Sequence, residues 1–144
     1  MSSLLERARE TLKIEIAGLE GLIERLGAEF EEAVKLLYAC QGKVILAGMG
    51  KSGLIAQKIA ATLTSTGTPA LFLHAGESTH GDLGIITKQD VVIAFSYSGE
   101  TNEVLQMIGH IQAIGVPLIA MTGKPDSTLA QAATVHLSIA VEKE

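Results

Sequence analysis

The chain has 144 residues, a formal net charge of −5, and 47% apolar against 19% charged residues. That composition builds one globular domain and excludes a disordered chain. The acidic balance and 3% aromatics argue against a nucleic-acid surface, the lone Cys40 excludes an internal disulfide and fits a reducing cytoplasm, and no apolar run reaches the ~18 residues of a membrane span.

Leu5, Ala8, Leu12, Ile16, Leu19, Leu22, Ile23 and Leu26 share one helical face, with Glu6, Arg7, Arg9, Glu10 and Lys13 off it. Ser2 or Ser3 is expected to cap this helix and Gly27 to end it. A second helix follows to about Cys40, with Phe30, Val34 and Leu37 inward. The pattern then shortens. Lys43–Ala47 is a β-branched run stopped by Gly48-Met49-Gly50, and Ile55, Ile59, Ala60 and Leu63 make a helical face after it. Ala70–Leu73 and Val91–Phe95 read as strands two and three. Val104, Leu105, Ile108 and Ile111 mark a helix, and Pro117–Met121 a fourth strand. Asp126 is expected to cap a short helix through Ala133, before a fifth strand, Val135–Ile139.

Strands apolar on both faces, alternating with helices, predict a parallel sheet covered on both sides. The expected fold is α/β: a three-layer, flavodoxin-like sandwich with a five-stranded parallel sheet in the order 2-1-3-4-5 and helices on both faces. An N-terminal helical extension, residues 1–41, precedes the core at 42–144 within a single domain. The extension's apolar stripe lacks an obvious partner, which predicts a homodimer or homotetramer.

Open α/β sheets bind ligands beyond the carboxyl ends of strands, where the strand order reverses. Two loops fall there. Gly48-Met49-Gly50-Lys51-Ser52-Gly53 matches G-x-G-x-x-G. A dinucleotide site also needs an acidic residue about 20 positions on, where Leu73 and His74 stand. A Walker A loop needs glycine at position 45, which is Ile45. What remains is a tight turn opening a helix beside a lysine. The glycines Gly48, Gly50 and Gly53 either shape a ligand loop or serve turn geometry alone.

The second loop, Ser96-Tyr97-Ser98-Gly99-Glu100-Thr101, offers three hydroxyls around Gly99 at a helix start. Free N–H groups and the helix dipole favour an anion there, and a phosphate monoester is the natural guest. Glu103, in the first turn, either complements that dipole or acts as a general base. His74, Glu77, His80 and Asp82 crowd one loop with no partner set elsewhere, so no metal is expected. His80 remains open between an acid–base group and a structural histidine. His110, His136 and Cys40 read as structural.

Six runs make the sequence similar to the sugar isomerase (SIS) domain family. They are GMGKSG at Gly48–Gly53, STGTP at Ser65–Pro69, HGDLG at His80–Gly84, DVVIA at Asp90–Ala94, SGE at Ser98–Glu100 and MTGKP at Met121–Pro125. More narrowly, the chain resembles the SIS part of D-arabinose-5-phosphate isomerases. The resemblance implies conversion of D-arabinose 5-phosphate to D-ribulose 5-phosphate through an enediol, without cofactor, feeding the acidic sugar Kdo of lipopolysaccharide. It implies catalytic roles for Lys51, His80, Glu103 and Glu144, with Glu103 or Glu144 as base. It assigns the phosphate to Ser96, Ser98 and Thr101, with Ser52 a further contact. Leu54 and Tyr97 depart from the family pattern, where histidine and asparagine are common. The family's last helix and paired CBS domains are expected to be missing, leaving one flank of the sheet uncovered. The competing expectation is a non-catalytic, phosphosugar-binding regulatory domain, and a third is a different SIS enzyme such as a hexulose-phosphate isomerase.

Overall fold

The computed structural model describes residues 3–78 and 81–143. Ser3 caps α1 (Leu4–Arg25) in a capping box: its Oγ accepts the Glu6 amide, and the Glu6 carboxylate accepts the Ser3 amide. Gly27 does not end this helix. The chain leaves α1 through Leu26 in extended backbone, so no left-handed residue is needed, and Gly27 instead starts α2 (Ala28–Ala39). The buried stripe of α2 is also rotated from the expected one. Ala33 lies in the core with Leu36, Leu37 and Cys40 packed beside it, while Phe30 and Val34 are 45% and 46% exposed. The small Ala33 permits close approach to the sheet and sets the contact line.

The sheet contains β1 (Val44–Gly48), β2 (Ala70–His74), β3 (Val91–Phe95), β4 (Leu118–Thr122) and β5 (Val135–Ser138). The order is β2-β1-β3-β4-β5, and every neighbouring pair is parallel, as expected from the sequence. Alternate residues serve opposite faces. Val44, Leu46, Ile93, Phe95, Ile119 and Val135 pack with α2 and α3 (Gly50–Ser65). Ile45, Ala47, Val92, Ala94, Leu118 and Ala120 pack with α4 (Asn102–Ile114) and Leu129 of α5 (Thr128–Ala132).

Two details correct the expected faces and caps. Ile55 is 56% exposed, and the core side of α3 is Ala56 and Ala60 with Ile59 and Leu63 beside them. Ser127, not Asp126, caps α5, because its Oγ accepts the Ala130 amide.

No residue of α1 is buried, and Leu5, Leu12, Ile16, Leu19 and Ile23 stand exposed. The segment Ile139–Lys143 runs beside this helix, where Arg25 Nη2 donates to Ala140 O at 2.6 Å. A cavity of about 990 Å³ opens between them, lined by Ile14, Leu19, Leu22 and Val141 among others. Among the described residues no helix is long and apolar enough to cross a membrane.

Candidate active site

The strand order reverses between β1 and β3, which pair with Ala47 opposite Ala94. The loops Gly48–Gly53 and Ser96–Thr101 therefore leave the same rim of the sheet from neighbouring strands. Their helices depart on opposite faces, α3 onto one core and α4 onto the other.

In the first loop the outer glycines permit a backbone-on-backbone contact. A Cβ on Gly53 would stand 3.2 Å from Gly48 O, and one on Gly48 would stand 3.1 Å from Gly53 N. The strand end and the helix start touch with no side chain between them. Gly50 has φ +58° and meets nothing within 4 Å, so its requirement is conformational. Met49 precedes α3 without a side-chain cap, so amides of the first turn find no side-chain acceptor among the described residues. Lys51 is exposed and Ser52 half-buried.

The second loop is organised around the buried Ser96. Its Oγ accepts the Gly99 amide at 3.1 Å, lies 2.7 Å from Thr101 Oγ1 and 3.5 Å from Ser98 Oγ. Ser98 Oγ accepts the Glu100 amide at 3.1 Å. Thr101 begins α4 without capping it, because its hydroxyl is turned to Ser96. The amides of Asn102 and Glu103 find no acceptor among the described residues. Three hydroxyls and the open end of a helix thus converge, with no cation in the loop itself, in an arrangement suited to an anion. Glu103 sits half-buried in the first turn. Among the described residues no hydrogen bond or ion pair engages the side chains of Lys51, Ser52 or Glu103, which leaves all three available to a ligand.

His80 and Glu144 lie outside the described residues. His74 ends β2, and its Nδ1 accepts the Gly76 amide at 3.2 Å. His110 Nε2 lies 3.0 Å from Leu83 O, tying α4 to the 3-10 turn Asp82–Ile85. His136 Nε2 lies 2.8 Å from the buried Thr122 Oγ1. That hydroxyl donates to Lys124 O at 2.8 Å, so His136 Nε2 is the donor to it. Among the described residues no three His, Cys, Asp or Glu side chains gather as a metal site.

The second loop is braced by bonds that the sequence pattern does not show. Glu100 Oε1 accepts the Thr128 amide at 2.7 Å, and Gly99 O accepts the Leu129 amide at 3.1 Å, fastening the loop to α5. Gly99 has φ +68°, and a Cβ there would collide with Ser127. Tyr97 O accepts the Gly123 amide at 2.9 Å. Gly123, directly after a strand, was the available signal.

Residues 37–144 match the family model for the SIS domain, and the chain belongs to that family. It is 47% identical over 140 residues to the Pseudomonas aeruginosa arabinose 5-phosphate isomerase KdsD, covering 97% of this chain and 43% of that protein. It is 49% identical over 142 residues to the Salmonella typhi arabinose 5-phosphate isomerase GutQ, covering 99% of this chain and 44% of that protein. The chain thus spans less than half the length of these curated relatives. Among solved structures, an E. coli CFT073 protein in complex with a sugar phosphate superposes with a TM-score of 0.84 at 39% identity, over 99% of this chain and 78% of that one.

Proposed function

We propose that this chain is the catalytic SIS unit of an aldose–ketose isomerase acting on D-arabinose 5-phosphate and D-ribulose 5-phosphate. The observation that carries the reading is the pairing of an anion-holding loop with a lysine-bearing glycine loop on adjacent strands. The similarity to arabinose 5-phosphate isomerases supports the choice of sugar. In this scheme Ser96, Ser98, Thr101 and the first amides of α4 hold the phosphate, with Ser52 at its edge. A base, Glu103 or Glu144, takes the proton from C2. The C1 oxygen gains charge and is stabilised by Lys51 as the enediol forms. Return of the proton at C1 and loss of the O2 proton leave the ketone at C2, with His80 moving protons between the oxygens. The scheme needs no external electron donor or acceptor, because the oxidation of C2 balances the reduction of C1.

The product would feed formation of Kdo and lipopolysaccharide in the cytoplasm. Copies of the chain associate in this reading through the exposed apolar stripe of α1, as a homodimer or homotetramer.

The test is ribulose 5-phosphate formation from arabinose 5-phosphate by the natural full-length protein, with Glu103→Gln beside it. Loss of about 10²–10⁴-fold in kcat with retained sugar-phosphate binding is the expected outcome for a general base. Tight binding of the sugar phosphate by a wild-type protein that never turns it over would replace the isomerase by a phosphosugar-binding regulator.

A further inference from the structure

We infer that Tyr97 is a positioning residue, holding the segment after β5 against the anion-holding loop. It stands between Ser96 and Ser98, yet its side chain leaves the loop. The phenol oxygen accepts the Val141 amide at 3.2 Å and donates to Val141 O at 3.4 Å. One hydroxyl thus grips both backbone groups of a single residue. The ring lies on Gly123, where a Cβ would stand only 2.7 Å from two ring carbons. The bare glycine is what lets the ring settle. From the other side Arg25 Nη2 holds Ala140 O, and Val141 Cγ1 lies 3.5 Å from where a Cβ on Gly18 would be.

The segment Ile139–Lys143 is therefore bridged between α1 and the loop that collects the hydroxyls. Core packing does not demand a tyrosine at this position, because the side chain is 37% exposed. A phenylalanine would fill the same space and lose only the grip on Val141. The chemical consequence rests on the proposed isomerase reading, because Glu144, one of its two possible bases, follows Lys143 in sequence. The positional consequence does not rest on it.

The experiment compares wild type, Tyr97→Phe and Gly123→Ala. Amide hydrogen exchange is followed residue by residue in this chain. Turnover is measured in the natural full-length protein with arabinose 5-phosphate. Both variants are expected to raise exchange at Val141 about tenfold, while the amides of Ser96–Thr101 and the melting temperature of Tyr97→Phe stay as in wild type. In turnover, an isomerase that uses Glu144 as base loses kcat with KM unchanged, and one that uses Glu103 keeps both. Unchanged exchange at Val141 in Tyr97→Phe overturns the inference. So does equal loosening of Ser96–Thr101, or a rise in KM alone. Should wild type show no turnover, the isomerase reading fails while the exchange result still decides the role of Tyr97.

Discussion

Lys43 grips Asp90 twice, through its ammonium at 2.8 Å and its own backbone amide at 2.9 Å. The Thr87 amide adds a third bond at 2.8 Å, and the carboxylate is 2% exposed. Lys43 precedes β1 and Asp90 precedes β3, so this cluster joins the two strands that carry the candidate loops, at the end opposite those loops. A side chain on Gly42 would run into the same carboxylate.

Burial pushes the Asp90 carboxyl upward, but the side-chain and backbone bonds from Lys43, the Thr87 amide and the lysine charge outweigh it. The result lies below the ordinary carboxylate value. A folded-state value below the unfolded one gives stability that is fully present above the unfolded value. It disappears as pH falls through the folded one. Unfolding midpoints measured from pH 6 downward should therefore fall more gently in Asp90→Asn than in wild type below about pH 4. Equal slopes would remove Asp90 from the account. Asp90→Ala, which strands Lys43, should cost about 3–5 kcal/mol.

Ser96→Ala deletes the centre of the hydroxyl cluster. The Thr101 hydroxyl loses its partner, and the Gly99 amide keeps only the Ser96 carbonyl. The expected result is a stability loss of about 1–2 kcal/mol and a weakening of sugar-phosphate affinity of about tenfold or more. Calorimetric titration and denaturant unfolding read the two separately. Wild-type affinity in this variant would show that the anion sits elsewhere.

Gly99 and Gly115 share a left-handed backbone, with φ +68° and +79°, but not their surroundings. Gly115 ends α4 with nothing within 4 Å, so Gly115→Ala should cost only the conformational penalty of about 1 kcal/mol. Gly99→Ala adds overlap with Ser127 and should cost at least about 2 kcal/mol more. Chemical denaturation of the pair isolates the steric part. Equal losses would mean that the loop and α5 separate freely.

Ile16 lies mid-stripe on α1, exposed with Leu12, Leu19 and Ile23. If copies associate there, Ile16→Glu should convert the assembly to monomers in light scattering at micromolar concentration. The melting temperature of the monomer should be unaffected, since the side chain packs against no core. An unaltered mass distribution would move the interface off this helix.

Much of the fold was legible because its signals were strong and local. Short apolar runs such as Val91–Phe95, alternating with helices, pointed to strands buried on both faces of a parallel sheet, and the observed order agrees with the expected 2-1-3-4-5. Helix orientation was harder. In α2 and α3 the fully buried positions include Ala33 and Ala56, which hydrophobic periodicity undervalues because small side chains permit close approach, whereas Ala60 lies on the expected face. The two candidate loops stood out from glycine and hydroxyl spacing. The bonds that brace them were not, because Glu100 to Thr128 and Tyr97 to Val141 join residues 28 and 44 positions apart. No local pattern encodes such distances.

The hydroxyl cluster carries one more consequence. Ser96, Ser98, Gly99 and Thr101 already satisfy one another, and the whole turn is fastened to α5. In the proposed reading, a phosphate arriving there finds its cradle wound in advance, and binding becomes an exchange of hydrogen-bond partners rather than an ordering of chain. Little conformational entropy is lost in that exchange. Selectivity in that reading falls to the remainder of the sugar and to Lys51 and Glu103, whose side chains no bond among the described residues holds in place.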